Sequence, residues 1–230
     1  MNAADWSTVA SVATALGTLV LAFATFAAIR SANASARVAE RALLAGLLPV
    51  LAPSRTDDPP LNVNFGDQRW LEIQGGGGAA AIGGGDGSQG PAEDVIYLAV
   101  GLRNVGSGMA VLRGWHFYPE WHRNPGHAPL EEFQQQQRDL YVPPSDTGFW
   151  QAAFRDPEDP RYPAARKTIE AGDPWTVELL YGDYEGGQRV IARMQLLPGR
   201  RAEGKPVRWV ATISRYWNLD RPDPRSHDGH

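Results

Sequence analysis

From Trp6 to Ile29 the chain runs 24 residues without a single charge, bracketed by Asp5 and Arg30. A helix needs roughly 20 apolar residues to cross a bilayer core, so this stretch predicts one transmembrane span with some tilt. It holds seven Ala, six Ser or Thr, one Gly and nine Val, Leu, Ile or Phe, with Trp6 at its start. Hydroxyl side chains in such a helix bond back to its own carbonyls and cost less in lipid than charges. Trp6 lies where an interfacial aromatic is favoured. Buried helices of soluble proteins seldom run this long uncharged.

Two further features of the span bear on its role. Arg30, Arg37 and Arg41 follow it, whereas Met1–Asp5 carries no basic residue. Basic flanks stay cytoplasmic, which predicts a plasma-membrane protein with its N-terminus outside and its C-terminal domain inside. The alternative is a signal peptide cleaved near Ala34-Ser35-Ala36. It is disfavoured by the uncharged N-terminus and by an apolar run longer than an h-region of about 7–15 residues. Ser7, Ser11, Thr14, Thr18, Ala22 and Thr25 form a stripe of small residues on one helix face. Such stripes let helices pack closely in lipid, so the stripe is a candidate for homo-oligomerisation. Against it, Ala10, Ala13, Gly17, Ala24 and Ala27 make the other faces small as well.

The helical pattern continues past the span as a juxtamembrane stalk through Leu48, and Pro49 ends it. Residues 1–48 therefore read as anchor plus stalk. About 170 residues remain, enough for one well-buried domain. A net charge of −4 and the absence of Cys argue against nucleic acid as main partner and against a disulfide framework. Twenty Arg against two Lys reads as codon bias rather than chemistry.

Residues 49–219 read as short strands divided by turns. Strand patterns fall at Pro49–Pro53, Val63–Phe65 and Arg69–Gln74, with Trp70 a candidate core residue. Gly75–Gly90 holds nine Gly in 16 residues and reads as a flexible insertion. Val95–Arg103 is apolar on both faces, the pattern of a covered central strand, and Met109–Tyr118 returns after Asn104-Val-Gly-Ser-Gly108. Glu131–Arg138, with four consecutive Gln, suggests one or two helical turns. Asp146–Phe154 is a strand, and Tyr162–Ala171 a short helix closed by Gly172. Trp175–Tyr181 and Gln188–Leu197 make the clearest hairpin, Val207–Trp217 the last strand, and 220–230 a disordered tail. The predicted fold is mainly β with one long N-terminal helix. Behind the anchor it is an antiparallel β-sandwich, immunoglobulin-like or jelly-roll-like.

No reaction is legible. His116, Glu120, His122 and His127 are candidate metal ligands, but their spacing across a strand end and a Pro-containing loop is irregular. There is no Gly-x-Ser-x-Gly elbow, and the glycine clusters lack the Lys, Ser or helix that phosphate loops require. The expectation is a non-enzymatic protein without cofactor; the alternative is a tethered enzyme with a His/Glu metal site. Tyr118, Trp121, Tyr216 and Trp217 are candidates for an interaction surface.

The charge-free span, the basic-flanked helix, the Leu47-Leu-Pro-Val-Leu51 start of the first strand and Leu102-Arg-Asn-Val-Gly-Ser-Gly-Met-Ala110 form a layout. It resembles uncharacterised single-pass membrane proteins of actinobacteria with a β-sandwich behind the anchor. The resemblance implies fold and location and carries no catalytic residue. The functional expectation is a membrane-anchored protein whose β-domain, at the cytoplasmic face, binds or scaffolds another protein. The rival is an extracytoplasmic domain that binds peptide or glycan.

Overall fold

The structure, a computed structural model, describes residues 3–67, 69–83, 95–199 and 208–222. It divides into two compact units, Met1–Gly46 and Leu47–His230. The first is a single α-helix of 44 residues, α1 (Ala3–Gly46), about 66 Å long at 1.5 Å per residue. Thr18 donates its hydroxyl to the Thr14 carbonyl and Thr25 to that of Leu21, each at 2.8 Å. These polar side chains are thus satisfied within the helix, as a lipid solvent would require of any helix placed in it. Ser11–Glu40 is apolar and long enough to cross a membrane, and none of it is buried. Such a helix is compatible with a membrane anchor or a signal sequence.

The second unit is antiparallel β, as the alternating patterns predict. Its strands are β1 (Leu51–Pro53), β2 (Leu61–Asn64), β3 (Trp70–Ile73), β4 (Gly77–Ile82), β5 (Ile96–Asn104), β6 (Ala110–Tyr118), β7 (Gln134–Val142), β8 (Thr147–Phe154), β9 (Trp175–Gly182), β10 (Val190–Pro198) and β11 (Trp209–Asn218). All but β2 and β3 belong to one sheet. β8 occupies one edge of β5 from Ile96 to Arg103, while β4 and β1 share the other edge end to end. From β4 the sheet continues through β11, β10, β9 and β6 to β7. It curls until β7 meets β8, so a single sheet folded over makes both layers of the domain. No ladder joins those last two strands among the described residues. Side chains bridge them instead: Gln136 donates to the Gln151 carbonyl at 2.8 Å, and Arg138 to the Gln151 side chain at 2.9 Å.

Burial follows from this curl. Inside it, Leu98, Val100, Trp115, Trp150, Trp175, Leu179, Met194 and Trp209 are buried with their neighbours in one core. The other face of β5 carries Tyr97 and Ala99 into a second, smaller core, closed by Val63, Leu71 and Ile73 of the β2–β3 hairpin. β5 is therefore covered on both faces, as its unbroken apolar run requires. The helix α2 (Tyr162–Ala171) adds Tyr162, Ala165 and Ile169 to the main core and ends at Gly172 with φ 70°.

Asn104 explains the Asn-x-Gly-x-Gly turn. It is fully buried and uses all its amide capacity. It donates to Gly108 (2.7 Å) and Val142 (2.9 Å) carbonyls and accepts from the Val50 (3.2 Å) and Gly106 (3.0 Å) amides. A Cβ on Gly106 or Gly108 would collide with the backbone of Leu47–Val50, so both must be Gly.

Three sequence expectations are corrected. The glycine-rich stretch is not flexible over its first half: Gly77–Ile82 is β4, and only residues 84–90 lie outside the described part. Side chains are excluded there because a Cβ on Gly77 would strike the Trp209 carbonyl and one on Gly78 the Leu196 side chain. Trp70 is 57% exposed, since the strand's alternation points Leu71 and Ile73 inward. Helical structure near the glutamines is confined to a 3-10 turn at Leu130–Glu132. Gln134 and Gln135 pair with β6, as do Leu140–Val142, while residues 136–139 bulge out between them. The turn expected at 200–206 and most of the 220–230 tail lie outside the described residues.

Candidate functional site

Most of the residues with chemical character gather on the outer face of β6, β9, β10 and β11. Glu178 of β9 lies opposite both His116 of β6 and Arg193 of β10 in the ladders. Such outward positions read as solvent-facing, yet Glu178 is 0% and Arg193 2% exposed. The cover is the segment 119–129, which crosses this face as a strap.

Its fastening is polar and specific. Arg193 donates to Glu178 through Nε at 2.8 Å and through Nη2 at 2.5 Å. It also donates to the strap carbonyls of Asn124 and Gly126, each at 2.5 Å. Glu178 accepts in turn from the Ala128 amide at 2.9 Å. Thr176 donates to the Glu120 carbonyl (2.7 Å) and accepts from the His122 amide (3.0 Å). Gln195 reaches the His122 carbonyl at 3.1 Å, and Arg215 that of Pro125 at 2.5 Å. A buried ion pair is costly to desolvate unless its remaining hydrogen-bonding capacity is used. Here the strap backbone uses it, so strap and pair stabilise each other.

Aromatic rings frame the pair. The Arg193 guanidinium lies 4.8 Å from the Trp217 ring and 5.9 Å from the Tyr118 ring. Tyr118 stacks on His122 at 3.8 Å, and His116 meets Tyr118 edge-on at 4.5 Å. His127 meets Trp217 at 5.6 Å. Burial, and then the nearby Glu178 charge, push the Tyr118 hydroxyl up to about 12, so it stays protonated at neutral pH.

The sequence-predicted residues thus sort as follows. Tyr118 and Trp217 belong to the strap's underside, Trp217 being only 8% exposed, whereas Trp121 on the strap is 38% exposed. Tyr216 faces the other way and donates its hydroxyl to the Leu51 carbonyl at 2.6 Å, holding β1. The four candidate metal ligands point to different partners. His116 Nδ1 lies 3.2 Å from the Glu132 carbonyl, His127 Nδ1 2.6 Å from that of Ala128, and His122 Nδ1 3.6 Å from Glu120. Among the described residues no three His, Cys, Asp or Glu side chains form a group fit to hold a metal ion. Of the small-residue stripe on α1, Ser11, Thr14, Thr18, Ala22 and Thr25 are exposed; Ser7 lies outside the residues whose side chains are described.

Two of the clefts among the described residues bear on this architecture. One, of about 240 Å³, opens at the β7–β8 seam over Trp115, between Gln134–Arg138 and Gln151–Ala153. The other, of about 340 Å³, lies beside the strap between Trp121, Arg123, Gln195 and Arg215. Sequence reasoning missed Glu178 and Arg193; their signal was a charge in mid-strand on each arm of the clearest hairpin, at positions that pair. No family model, curated protein or solved structure matches this chain.

Proposed function

We propose that this protein is a single-pass membrane protein whose β-domain, at the cytoplasmic face, binds or scaffolds a partner protein. The observation that carries the reading is α1: 24 consecutive uncharged residues on a helix with no burial anywhere from Ser11 to Glu40. Such a surface is stable in lipid and unstable in water. The orientation rests on Arg30, Arg37 and Arg41 following the span, with no basic residue before it. The binding role rests on the strap, which places exposed aromatic and cationic side chains on a rigid sheet. The reading assigns no reaction.

Flotation of carbonate-washed membranes, combined with protease treatment of inverted vesicles, tests both parts. The full-length chain should float with lipid, and a C-terminal tag should be digested in inverted vesicles but protected in right-side-out cells. Recovery of an intact N-terminus in the soluble fraction would overturn the anchor. A tag digested on intact cells would reverse the orientation and favour the extracytoplasmic alternative. Loss of residues 1–36 from the mature chain would identify α1 as a cleaved leader.

A further inference from the structure

The cleft beside the strap has a composition the fastening does not explain. Trp121, His122 and Arg123 of the strap form one wall, and Gln195, Ser214 and Arg215 of the sheet form the other. Arg193 lies at its floor. Among the described residues, no carboxylate lines it. Glu178 is bound to Arg193 and the Ala128 amide, and Glu120 lies 3.6 Å from the wall residue His122 with its carboxylate largely exposed.

The sheet is distorted to build this wall. Ser214 and Arg215 are consecutive in β11 and should face opposite sides. The register slips between Arg193 and Met194, so that Arg193 opposes Arg215 while Met194 opposes Ile213. The extra residue, Ser214, is a β-bulge that turns two successive side chains into the cleft, a device common at functional sites. Arg215 is also held in place, and Arg123 rests beside an aromatic ring. Arg215 is tied to the Pro125 carbonyl and lies 5.7 Å from the Trp217 ring, and Arg123 lies 5.8 Å from the Trp121 ring. Neither forms an ion pair among the described residues. Elsewhere in the domain Arg103, Arg155, Arg161, Arg166 and Arg189 each face a carboxylate, while Arg113 and Arg138, like the two cleft arginines, have no ion pair among the described residues.

We propose that this cleft is an anion site for a phosphate-bearing ligand, with Arg123 and Arg215 as its two clamps and Trp121 as an apolar wall. Guanidinium donors presented in a fixed fork match phosphate oxygens. A guanidinium already tied in place, as that of Arg215 is, loses little conformational freedom on binding. The phosphate can come from a soluble monoester or from a lipid headgroup, and the chemistry of capture is the same. The inference stands on the cleft alone and does not depend on the membrane reading.

The test is calorimetric titration of the full-length chain, in phosphatidylcholine nanodiscs, with inorganic pyrophosphate. One saturable site is expected. Arg123→Gln, which removes no hydrogen bond to the strap, should weaken it by at least about tenfold, as should Arg215→Gln. Arg138→Gln, at the distant seam, should leave it unchanged. No saturable binding in the millimolar range, or equal loss in all three variants, overturns the proposal. Discs that also contain phosphatidic acid distinguish the sources. A lipid occupant competes and weakens pyrophosphate about tenfold in the wild-type chain, while a soluble ligand's site keeps its affinity. Failure here leaves the flotation result untouched, and a chain that does not float is titrated in buffer with the same outcomes expected.

Discussion

At the scale of single residues, stability concentrates where one side chain serves several backbones. Asn104 is the clearest case, because its amide joins Val50 just before β1, the β5–β6 turn and β7 through four hydrogen bonds. Replacing it leaves buried donors and acceptors with no solvent to turn to, and each orphan costs about 1–3 kcal/mol. Asn104→Ala is therefore expected to destabilise the domain by at least about 3 kcal/mol. Asn104→Asp keeps the shape but sets a carboxylate oxygen against the Gly108 and Val142 carbonyls, so it should be no better. Urea unfolding of the full-length chain in nonionic micelles reads both. A loss under about 1 kcal/mol in the alanine variant would mean the amide is not the knot of this corner.

Elements were legible in the sequence to the extent that side chains carried their pattern. β5, β9, β10 and α2 lie close to where alternation and the Gly172 stop put them, because burial on known faces is what periodicity encodes. β4 was not legible: four consecutive glycines carry no hydropathy, and only the crowding of Trp209 and Leu196 around Gly77 and Gly78 shows why they form a strand. The bulge at residues 136–139 hid β7 for a related reason, since period-2 reasoning fails where pairing is interrupted. The candidate site was half legible. Its histidines and aromatics cluster along the chain, but Glu178 and Arg193 gain their meaning from a strap whose path no local pattern records. That strap yields a prediction at the same scale. Glu178→Ala leaves the Arg193 charge buried and should cost about 3–5 kcal/mol. The double change Glu178→Leu with Arg193→Met removes both charges and should recover most of that stability. It cannot restore the bonds to Asn124, Gly126 and Ala128, so trypsin should then cut after Arg123 much faster than in the wild type. A double variant as unstable as the single one would show that the pair holds the sheet itself.

On the scale of the whole molecule, the same chemical device pins outlying parts to the curled sheet. Asp67, beside the β2–β3 hairpin, meets Arg155 at 2.5 Å, and Asp220, past β11, meets Arg189 of the β9–β10 turn at 2.8 Å. Burial pushes the Asp67 carboxyl up, but bonds from Arg155 and Tyr97 outweigh it and hold the group below the usual carboxylate range. The Arg189 hydrogen bond holds Asp220 below that range too, against a smaller opposing effect of burial. A carboxyl with a lowered folded pKa binds protons less readily than its unfolded counterpart. Its stabilisation is therefore complete above the unfolded value, about 4, and drains away as pH falls through the folded one. Both groups are partly solvent-exposed, so each contribution is modest and screened by salt. Together they make acid loosen the periphery before the core, where no such pair closes the Trp115–Trp150 contact. Hydrogen exchange from about pH 5 down to about pH 3, corrected for the intrinsic rate, should show protection lost first at residues 61–73 and 215–220. Asp67→Asn with Asp220→Asn should flatten that dependence by starting from a looser periphery. Uniform loss of protection across β5 and β9 at the same pH would instead mean that the curled sheet and its attachments open as one cooperative unit.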